Sequence, residues 1–287
     1  MVLDQALALA VPTRYGQHLE VTEIPNQAGK SRLSWRSYNN DGELWYAEDF
    51  ITEGAIRPEV VDACNSNPIT DRLIQILEKA RELNPDFIKG SYDVSTKLDF
   101  PNNWGLGSSS TLICNIAKWA QVDAFELSEA SIGGSGYDIA VGMLGGDVLY
   151  RSPELWEGYV YNPPFKEQLY LVHLNQKQDS REGIKTYRNN PKNEEVLARI
   201  SAITEEWINA ASIEHLGKLT EEHEALIAKV TGQETVKERL FSDYPFAIKS
   251  LGAWGGDFML AIGDETSEGY FKGKGYSTVL KYIDMVK

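Results

Sequence analysis

Three glycine-rich turns hold the residues whose types and spacing could do chemistry. The first reads Gly105-Leu106-Gly107-Ser108-Ser109-Ser110 and precedes an apolar run that suits a buried helix. Glycine lets backbone N–H groups approach an anion closely, and a helix start adds partial positive charge, so this turn could cradle a phosphate. A plain turn that ends in a serine helix cap explains the same residues equally well. The Gly-Lys-Ser/Thr ending of a Walker A loop is absent.

The second turn, Gly133-Gly134-Ser135-Gly136-Tyr137, leads into Asp138. A carboxylate beside a phosphate cradle could orient or deprotonate an attacking hydroxyl. An aspartate just after a flexible turn could equally cap the helix that follows. The third turn, residues 252–257, reads Gly-Ala-Trp-Gly-Gly-Asp and is ambiguous by itself.

Alternating polarity and turn signals place these loops between strands and helices. Segments 34–38 and 43–47 flank Asn-Asn-Asp-Gly and predict a β-hairpin. An amphipathic helix is expected from Thr70 to Asn84, followed by a half-buried strand over 92–100. Further elements are expected as strands at 168–174 and 258–262 and as helices between residues 193 and 240. The sequence therefore predicts an α+β protein.

Composition and charge narrow the function classes. The chain has 287 residues, of which 42% are hydrophobic, and a formal charge of −14. Such acidity argues against a nucleic-acid partner, because nucleic acids are bound by clustered Lys and Arg. No apolar run approaches the roughly 20 residues that cross a bilayer, so we expect a cytoplasmic protein without a membrane partner. Cys64 and Cys114 are interpreted as buried free thiols, and His223 is assigned a structural role.

The order and spacing of the three turns resemble the signature of the galactokinase, homoserine kinase, mevalonate kinase and phosphomevalonate kinase (GHMP) superfamily. The family's phosphate loop reads Pro, three residues, Gly-Leu-Gly-Ser-Ser, which residues 101–109 match. Its Ser-Gly-x-Asp motif matches residues 135–138, and its C-terminal glycine loop matches the third turn. The resemblance implies a two-lobe α+β fold, with a ribosomal-protein-like N-terminal lobe at 1–155 and a ferredoxin-like C-terminal lobe at 156–287.

By this resemblance the chain is an ATP-dependent kinase that uses Mg²⁺ and transfers the γ-phosphoryl directly to a hydroxyl. Asp138 would orient and deprotonate that hydroxyl, and Ser109 would help to hold Mg²⁺. The family's acidic metal ligand usually stands where this chain has Leu127, so Glu126 or Glu129 is expected to replace it. The resemblance assigns ATP binding to Gly105, Leu106, Gly107, Ser108, Ser109 and Ser110, and support of the active site to Gly252, Gly255 and Gly256.

The residues around Asp138 resemble the mevalonate-pathway branch of the superfamily. Residues 175–187 resemble the segment that lies by the substrate in mevalonate and phosphomevalonate kinases, and Arg181 suits a bidentate contact with a carboxylate. Solvated surface charges explain this segment equally well. The resemblance assigns acceptor binding to Ser135, Gly136, Tyr137, Ser180 and Arg181.

Mevalonate is the first expected acceptor, and phosphomevalonate is close behind. The expected partner is therefore a small-molecule acid or alcohol substrate, and a homodimer is left open. A diphosphomevalonate decarboxylase and a non-catalytic ligand-binding or interaction protein of the same fold remain as alternatives.

The start of the chain and two tryptophans depart from the family's pattern. Family members begin with a lysine-bearing strand and Gly-Glu, whereas residues 2–13 here match the part after Gly-Glu. We therefore expect the natural protein to extend upstream of Met1, and reduced or lost activity if it does not. Trp104 precedes the first turn and Trp254 interrupts the third; core packing is expected for both, with stacking on a nucleotide base as the alternative.

Overall fold

The fold is that of a computed structural model of the chain, which describes residues 1–26, 31–60, 67–176, 180–189, 193–252, 254 and 256–287. Within the helix at 180–188, the side chains of Ser180, Arg181, Glu182 and Thr186 lie outside the described part. The chain forms two compact units. Residues 15–102 and 106–143 make up one, called here the single-sheet unit, and residues 1–14, 103–105 and 144–287 make up the other, the two-sheet unit.

Runs of strands and runs of helices follow one another along the chain. The strands are β1 (Ala8–Ala10), β2 (Gln17–Ile24), β3 (Arg32–Tyr38), β4 (Leu44–Ile51), β5 (Arg57–Pro58), β6 (Ser91–Leu98), β7 (Asp147–Ser152), β8 (Leu155–Tyr159), β9 (Leu169–His173), β10 (Ile248–Ser250), β11 (Phe258–Ile262) and β12 (Val279–Lys281). The helices are α1 (Pro68–Leu83), α2 (Ser108–Ala120), α3 (Ala124–Ser131), α4 (Tyr137–Leu144), α5 (Ser180–Arg188), α6 (Glu194–Ile208), α7 (Ile213–Thr231), α8 (Val236–Leu240), α9 (Ser267–Gly273) and α10 (Tyr282–Met285). The predicted α+β class is confirmed.

The single-sheet unit is built on five strands in the order β2-β6-β3-β4-β5. Neighbouring strands are antiparallel except β3 and β6, which run parallel. Burial alternates along β3, where Leu33, Trp35 and Ser37 are buried and the residues between them are not, because successive side chains of a strand point to opposite faces. The predicted hairpin turn joins β3 to β4, and the Gly42 N–H donates to the Asn39 carbonyl over 3.0 Å.

Helices α1, α2 and α3 contribute the apolar residues that pack with those of the sheet in one core. Helix α1 begins where the Asn67 side chain accepts a hydrogen bond from the Ile69 N–H, with Pro68 in the first turn, where a missing N–H costs nothing. It ends before Pro85, as the sequence predicts. The largest fully buried side chains of this core are Trp35, Phe50, Leu33, Ile76, Leu77, Ile113 and Ile116.

The two-sheet unit contains the antiparallel sheets β1-β7-β8 and β10-β11-β9-β12. Strands β9 and β11 are buried at every position, which is why both read as continuous apolar runs. Because β1 pairs with β7, residues 1–14 group with residues 144–287. This grouping differs from the predicted division at residue 155. No helix of the described ranges has the length and apolar composition needed to cross a bilayer.

Candidate functional site

The predicted phosphate loop forms the start of helix α2. Gly107 is the N-cap residue and has a left-handed backbone with φ 72°, which glycine adopts without strain. Ser108, Ser109 and Ser110 lie inside the helix, so the cap is a glycine and not a serine. Within the described residues, no side chain caps the first-turn N–H groups and no acidic residue stands in that turn. Such a helix start is suited to binding an anion.

Exposure distinguishes the three serines at this helix start. Ser109 is exposed, whereas Ser108 and Ser110 are half-buried, as is Leu106 before them. The exposed Ser109 hydroxyl fits the predicted contact with Mg²⁺, because this ion takes oxygen ligands and keeps several of its waters. Helix α2 is fixed to β2 through Gln17, whose side-chain and backbone oxygens accept hydrogen bonds from Thr111 and Asn115 over 2.8 Å each.

Asp138 lies at the second position of helix α4, so it belongs to the first turn and is not the helix cap. The glycines of the preceding turn, Gly133, Gly134 and Gly136, all have positive φ. The Asp138 side chain is accessible to solvent, yet desolvation by the surrounding protein raises the pKa of its carboxyl to about 6. A hydrogen bond with the Tyr137 side chain lowers the pKa but only partly offsets the desolvation. A carboxylate with this pKa is ionised at neutral pH and basic enough to accept a proton.

Helices α2 and α4 meet at Cys114. The Cys114 thiol donates a weak hydrogen bond to the Ile139 carbonyl over 3.8 Å, and a Cβ at Gly142 would lie 2.7 Å from its sulfur. Burial and then the charge of Asp138 raise the pKa of this thiol to about 11. The thiol is therefore protonated at neutral pH and is not a nucleophile. It is half-buried and free, which agrees with the structural interpretation of Cys114. Cys64 lies outside the described residues.

Helix α3 carries the two predicted acidic metal ligands. Leu127, which stands at the family's ligand position, is fully buried in the apolar core. Glu126 and Glu129 are exposed, away from the buried face of the helix formed by Ala124, Leu127, Ser128 and Ser131. In the described ranges, no group of three or more His, Cys, Asp or Glu side chains lies close enough together to hold a metal ion. Which carboxylate would contact Mg²⁺ stays a prediction.

The third turn lies between β10 and β11. Gly252 is exposed with φ 57°, Gly256 is buried, and Gly255 lies outside the described residues. Trp254 also has a left-handed backbone, with φ 63°. Its ring packs 5.5 Å from that of Tyr187 on an apolar cluster, so the predicted core packing of this tryptophan is confirmed.

Residues 103–105, which open the phosphate loop, belong to the two-sheet unit. The Trp104 ring packs edge-on against Phe258, with 5.5 Å between the ring centroids. Trp104 therefore also packs against the protein, as expected. Gly105 has φ 64° and lies directly against the Asp257 carboxylate.

The predicted acceptor residues divide into two groups. Ser135, Gly136 and Tyr137 are half-buried and directly precede Asp138. Ser180 and Arg181 begin helix α5, but their side chains lie outside the described part of the chain. The structure thus places the first group next to Asp138 along the chain.

Sequence reasoning missed two features near the third turn. Asp257 was noted as part of the turn without a role, and its contact with Gly105 joins residues 152 positions apart, which no local pattern reveals. His173 is 3% exposed at the end of the apolar strand β9, and a polar residue ending such a run was the available signal. His223 packs within the two-sheet unit, where its Nδ1 accepts a hydrogen bond from Lys249 over 3.0 Å, in agreement with a structural role.

Comparison with known proteins rests on structure alone. No family model and no curated protein matches the sequence. Solved structures match over nearly the whole chain at low identity. Phosphomevalonate kinase of Streptococcus pneumoniae, in complex with phosphomevalonate and AMPPNP, has 15% identity and a TM-score of 0.66, covering 98% of this chain and 94% of that one. Mevalonate kinase of Methanococcus jannaschii has 15% identity and a TM-score of 0.61, covering 97% and 92%.

Galactokinase of Lactococcus lactis, in complex with galactose, has 10% identity and a TM-score of 0.64, covering 99% of this chain and 88% of that one. These proteins are named for different acceptors, and each matches this chain in fold. Taken with the three glycine-rich turns, the match confirms the predicted resemblance: the chain has the fold of the GHMP kinase superfamily.

Proposed function

We propose that the chain is an ATP-dependent small-molecule kinase that transfers the γ-phosphoryl group to a hydroxyl of its acceptor. One observation carries the proposal. The accessible carboxylate of Asp138, with its pKa raised to about 6, lies in the same unit as the uncapped start of helix α2. The carboxylate can take a proton and the helix start can hold a phosphate. The GHMP kinase fold supports this pairing of roles.

In the proposed reaction, first-turn N–H groups of α2 hold the ATP phosphates, and Asp138 orients the acceptor hydroxyl. As the acceptor oxygen bonds to the γ-phosphorus and the bond to the bridging oxygen breaks, the hydroxyl proton passes to the Asp138 carboxylate. Positioning and charge neutralisation supply most of the acceleration, so no covalent phosphoenzyme is needed. Mg²⁺, held at Ser109 and the phosphates, would supply further charge neutralisation.

Mevalonate is the proposed acceptor, with phosphomevalonate as the alternative. The turn that ends at Asp138 resembles the mevalonate-pathway branch, and kinases for both acceptors are among the solved structures of similar fold. Arg181 is proposed to pair with the acceptor's carboxylate, with Ser180 beside it. A diphosphomevalonate decarboxylase would use the same ATP site, and a decarboxylase of this substrate from Legionella pneumophila also matches in fold, with a TM-score of 0.51.

The test is ADP release with Mg²⁺-ATP against mevalonate, phosphomevalonate, diphosphomevalonate, homoserine and galactose. It compares the wild type with Asp138→Asn, which keeps the side-chain shape and removes the base. We expect turnover with one acceptor and a loss of about 10²- to 10⁴-fold in the variant, the usual contribution of a positioned base. Nucleotide affinity should be similar in the two proteins, because Asp138 is proposed to act on the acceptor.

Each outcome identifies one function. Turnover that survives in Asp138→Asn would contradict the role of this carboxylate. Release of carbon dioxide together with ADP from diphosphomevalonate would identify a decarboxylase. Absence of both turnover and nucleotide binding would identify a non-catalytic protein of this fold.

A further inference from the structure

Three consecutive residues at the start of the phosphate loop each contact the strand pair β9–β11. Asn103 contacts His173, Trp104 packs on Phe258, and Gly105 lies against Asp257. The contacting residues are neighbours themselves, because Phe258 pairs with His173 in the register of the two strands. We call His173, Asp257 and Phe258 the loop anchor. All six residues belong to the two-sheet unit.

The first contact fixes a backbone carbonyl of the loop. His173 Nε2 lies 3.1 Å from the Asn103 carbonyl oxygen. A carbonyl only accepts, so Nε2 must carry the proton. The ring is held in place because the His173 side chain is buried and its backbone N–H donates to the Thr278 carbonyl over 3.0 Å.

The contact with Asp257 is the tightest of the three. A Cβ built on Gly105 would lie 2.1 Å from the Asp257 carboxyl carbon and 2.2 Å from Oδ1, so only glycine fits against this carboxylate. Gly105 also has φ 64°, a conformation that side chains oppose. The Asp257 backbone is fixed in turn, because its carbonyl accepts a hydrogen bond from the Leu174 N–H over 2.8 Å. The carboxylate therefore forms a wall against the first glycine of the loop.

We propose that Asp257 is a positioning residue that holds Gly105, and with it the start of the phosphate loop, in the conformation that binds nucleotide. This inference rests on the proposed kinase function. A loop ordered before the ligand arrives does not lose that freedom on binding, so removing the wall weakens nucleotide affinity. The carboxyl group holds Gly105 through its shape and not through its charge, since a negative charge beside a phosphate loop repels the ligand.

The shape and the charge of Asp257 can be separated by two substitutions. Asp257→Ala removes the wall and is expected to raise KM for ATP and the Kd of Mg²⁺-ATP by about tenfold. Asp257→Asn keeps the wall and removes the charge, so its affinity should equal or exceed that of the wild type. In Asp257→Ala, KM for the acceptor should stay within about twofold. A loss of folded protein would instead lower kcat and leave both KM values unchanged.

A double-mutant cycle tests the contact itself. Gly105→Ala should weaken nucleotide binding more than Asp257→Ala does, because its Cβ must displace the carboxylate and because φ 64° opposes a side chain. Gly105→Ala/Asp257→Ala makes room for that Cβ and should recover binding to within about tenfold of Asp257→Ala alone, a coupling that independent sites do not show. Asp243→Ala is the matched control, since its side chain is 61% exposed in the same unit. It should bind nucleotide like the wild type.

Calorimetric titration with Mg²⁺-ATP, without acceptor, measures the nucleotide affinity of the wild type and of every variant. Wild-type binding together with equal losses in Asp257→Ala and Asp257→Asn, or with no recovery in the double variant, would overturn the inference and leave the kinase function standing. If the wild type binds no nucleotide, the proposed function fails, and the role of Asp257 fails with it.

Discussion

Asp138 and Glu224 are carboxylates of different units that respond in opposite ways to the protein around them. Asp138 is accessible to solvent and its pKa is raised to about 6. Glu224 is 5% exposed, and this burial by itself would raise its pKa. The pKa is nevertheless lowered, because His223, Lys249 and Ser250 interact with the carboxylate. Both carboxylates are desolvated, so the groups that interact with each one decide whether its pKa is raised or lowered. Glu224, whose cationic partner is Lys249, has a structural role. Asp138 has no cation among the causes of its pKa shift within the described residues, and it is the proposed base.

The Glu224 cluster lies where β10 leads into the third turn. Lys249 Nζ is 3.0 Å from His223 Nδ1, 3.4 Å from the Ser250 carbonyl and 3.6 Å from Glu224 Oε1. Burial lowers the pKa of Lys249 and the charge of Glu224 opposes this. We take the pair as ionised, because the Glu224 carboxylate balances the charge of Lys249 and the ammonium also donates to His223 and the Ser250 carbonyl. Burial lowers the pKa of His223 to about 4, so its ring is neutral at pH 7 and Nδ1 can accept.

Removing the cation from this cluster should have the largest effect. Lys249→Met leaves Glu224 buried beside neutral groups, and loss of one partner of a buried pair costs about 3–5 kcal/mol of unfolding free energy. Urea unfolding measures this cost. The control is Lys272→Met, whose salt bridge to Glu268 is about half exposed and is expected to contribute less than about 1 kcal/mol.

A second variant separates lost charge pairing from lost packing. Glu224→Gln/Lys249→Met removes both charges, so it should be more stable than Lys249→Met alone. Equal stability of Lys249→Met and Lys272→Met would contradict the structural role given to the Glu224 cluster.

The next largest effect is expected in the pH dependence of turnover and stability, which should differ between the two carboxylates. Asp138 must be ionised to take a proton, so kcat/KM should fall about tenfold for each pH unit below 6. The folded pKa of Asp138 is above its unfolded value of 3.8, so ionising it opposes folding at pH 7. This cost declines as the pH falls from about 6 and is absent below about 3.8. Asp138→Asn should therefore lose turnover without losing stability at pH 7.

The pKa of Glu224 is shifted in the opposite direction, so its effect on stability has the opposite sign. Its folded pKa is below the unfolded value of 4.5, so its stabilisation is present above pH 4.5 and is lost as the pH falls through the lower, folded value. Between pH 7 and 5 the wild type should lose turnover reversibly without losing stability to urea. Parallel loss of activity and stability in this range would show that unfolding, and not Asp138, sets the profile.

The fold could be predicted where the signal is local. Apolar runs locate β9 and β11, turn residues locate the hairpin after β3, and Asn84-Pro85 ends helix α1. The pairing of β1 with β7 could not be predicted, because a three-residue strand has too few positions to show a period and its partner lies about 140 residues away.

The candidate site follows the same rule. The glycine turns and Asp138 could be found from their spacing and their resemblance to a family. The environment that raises the pKa of Asp138, the exposure of Glu126 and Glu129, and the contact of Gly105 with Asp257 all depend on tertiary packing. The types and order of residues can be read from a short stretch of sequence, whereas the distances between remote residues cannot.

The smallest expected effect uses Cys114 as a reporter of the charge on Asp138. Burial is the main cause of the raised thiol pKa and the Asp138 charge the second, so Asp138→Asn should lower this pKa modestly. A drop of about half a unit raises the thiolate fraction, and so the rate of labelling at pH 8, roughly threefold. The measurement uses a Cys64→Ser background so that one thiol remains.

The pH dependence of this difference identifies its cause. Below pH 6 the wild-type Asp138 is itself protonated, so the labelling rates of wild type and Asp138→Asn should converge. Asp86→Asn, which removes a side chain that is 79% exposed in the same unit, should label like the wild type at every pH. A ratio that stays constant across pH 6 would mean that altered packing, and not the Asp138 charge, changes the thiol. The contrast between Asp138 and Glu224 would then lose its electrostatic basis.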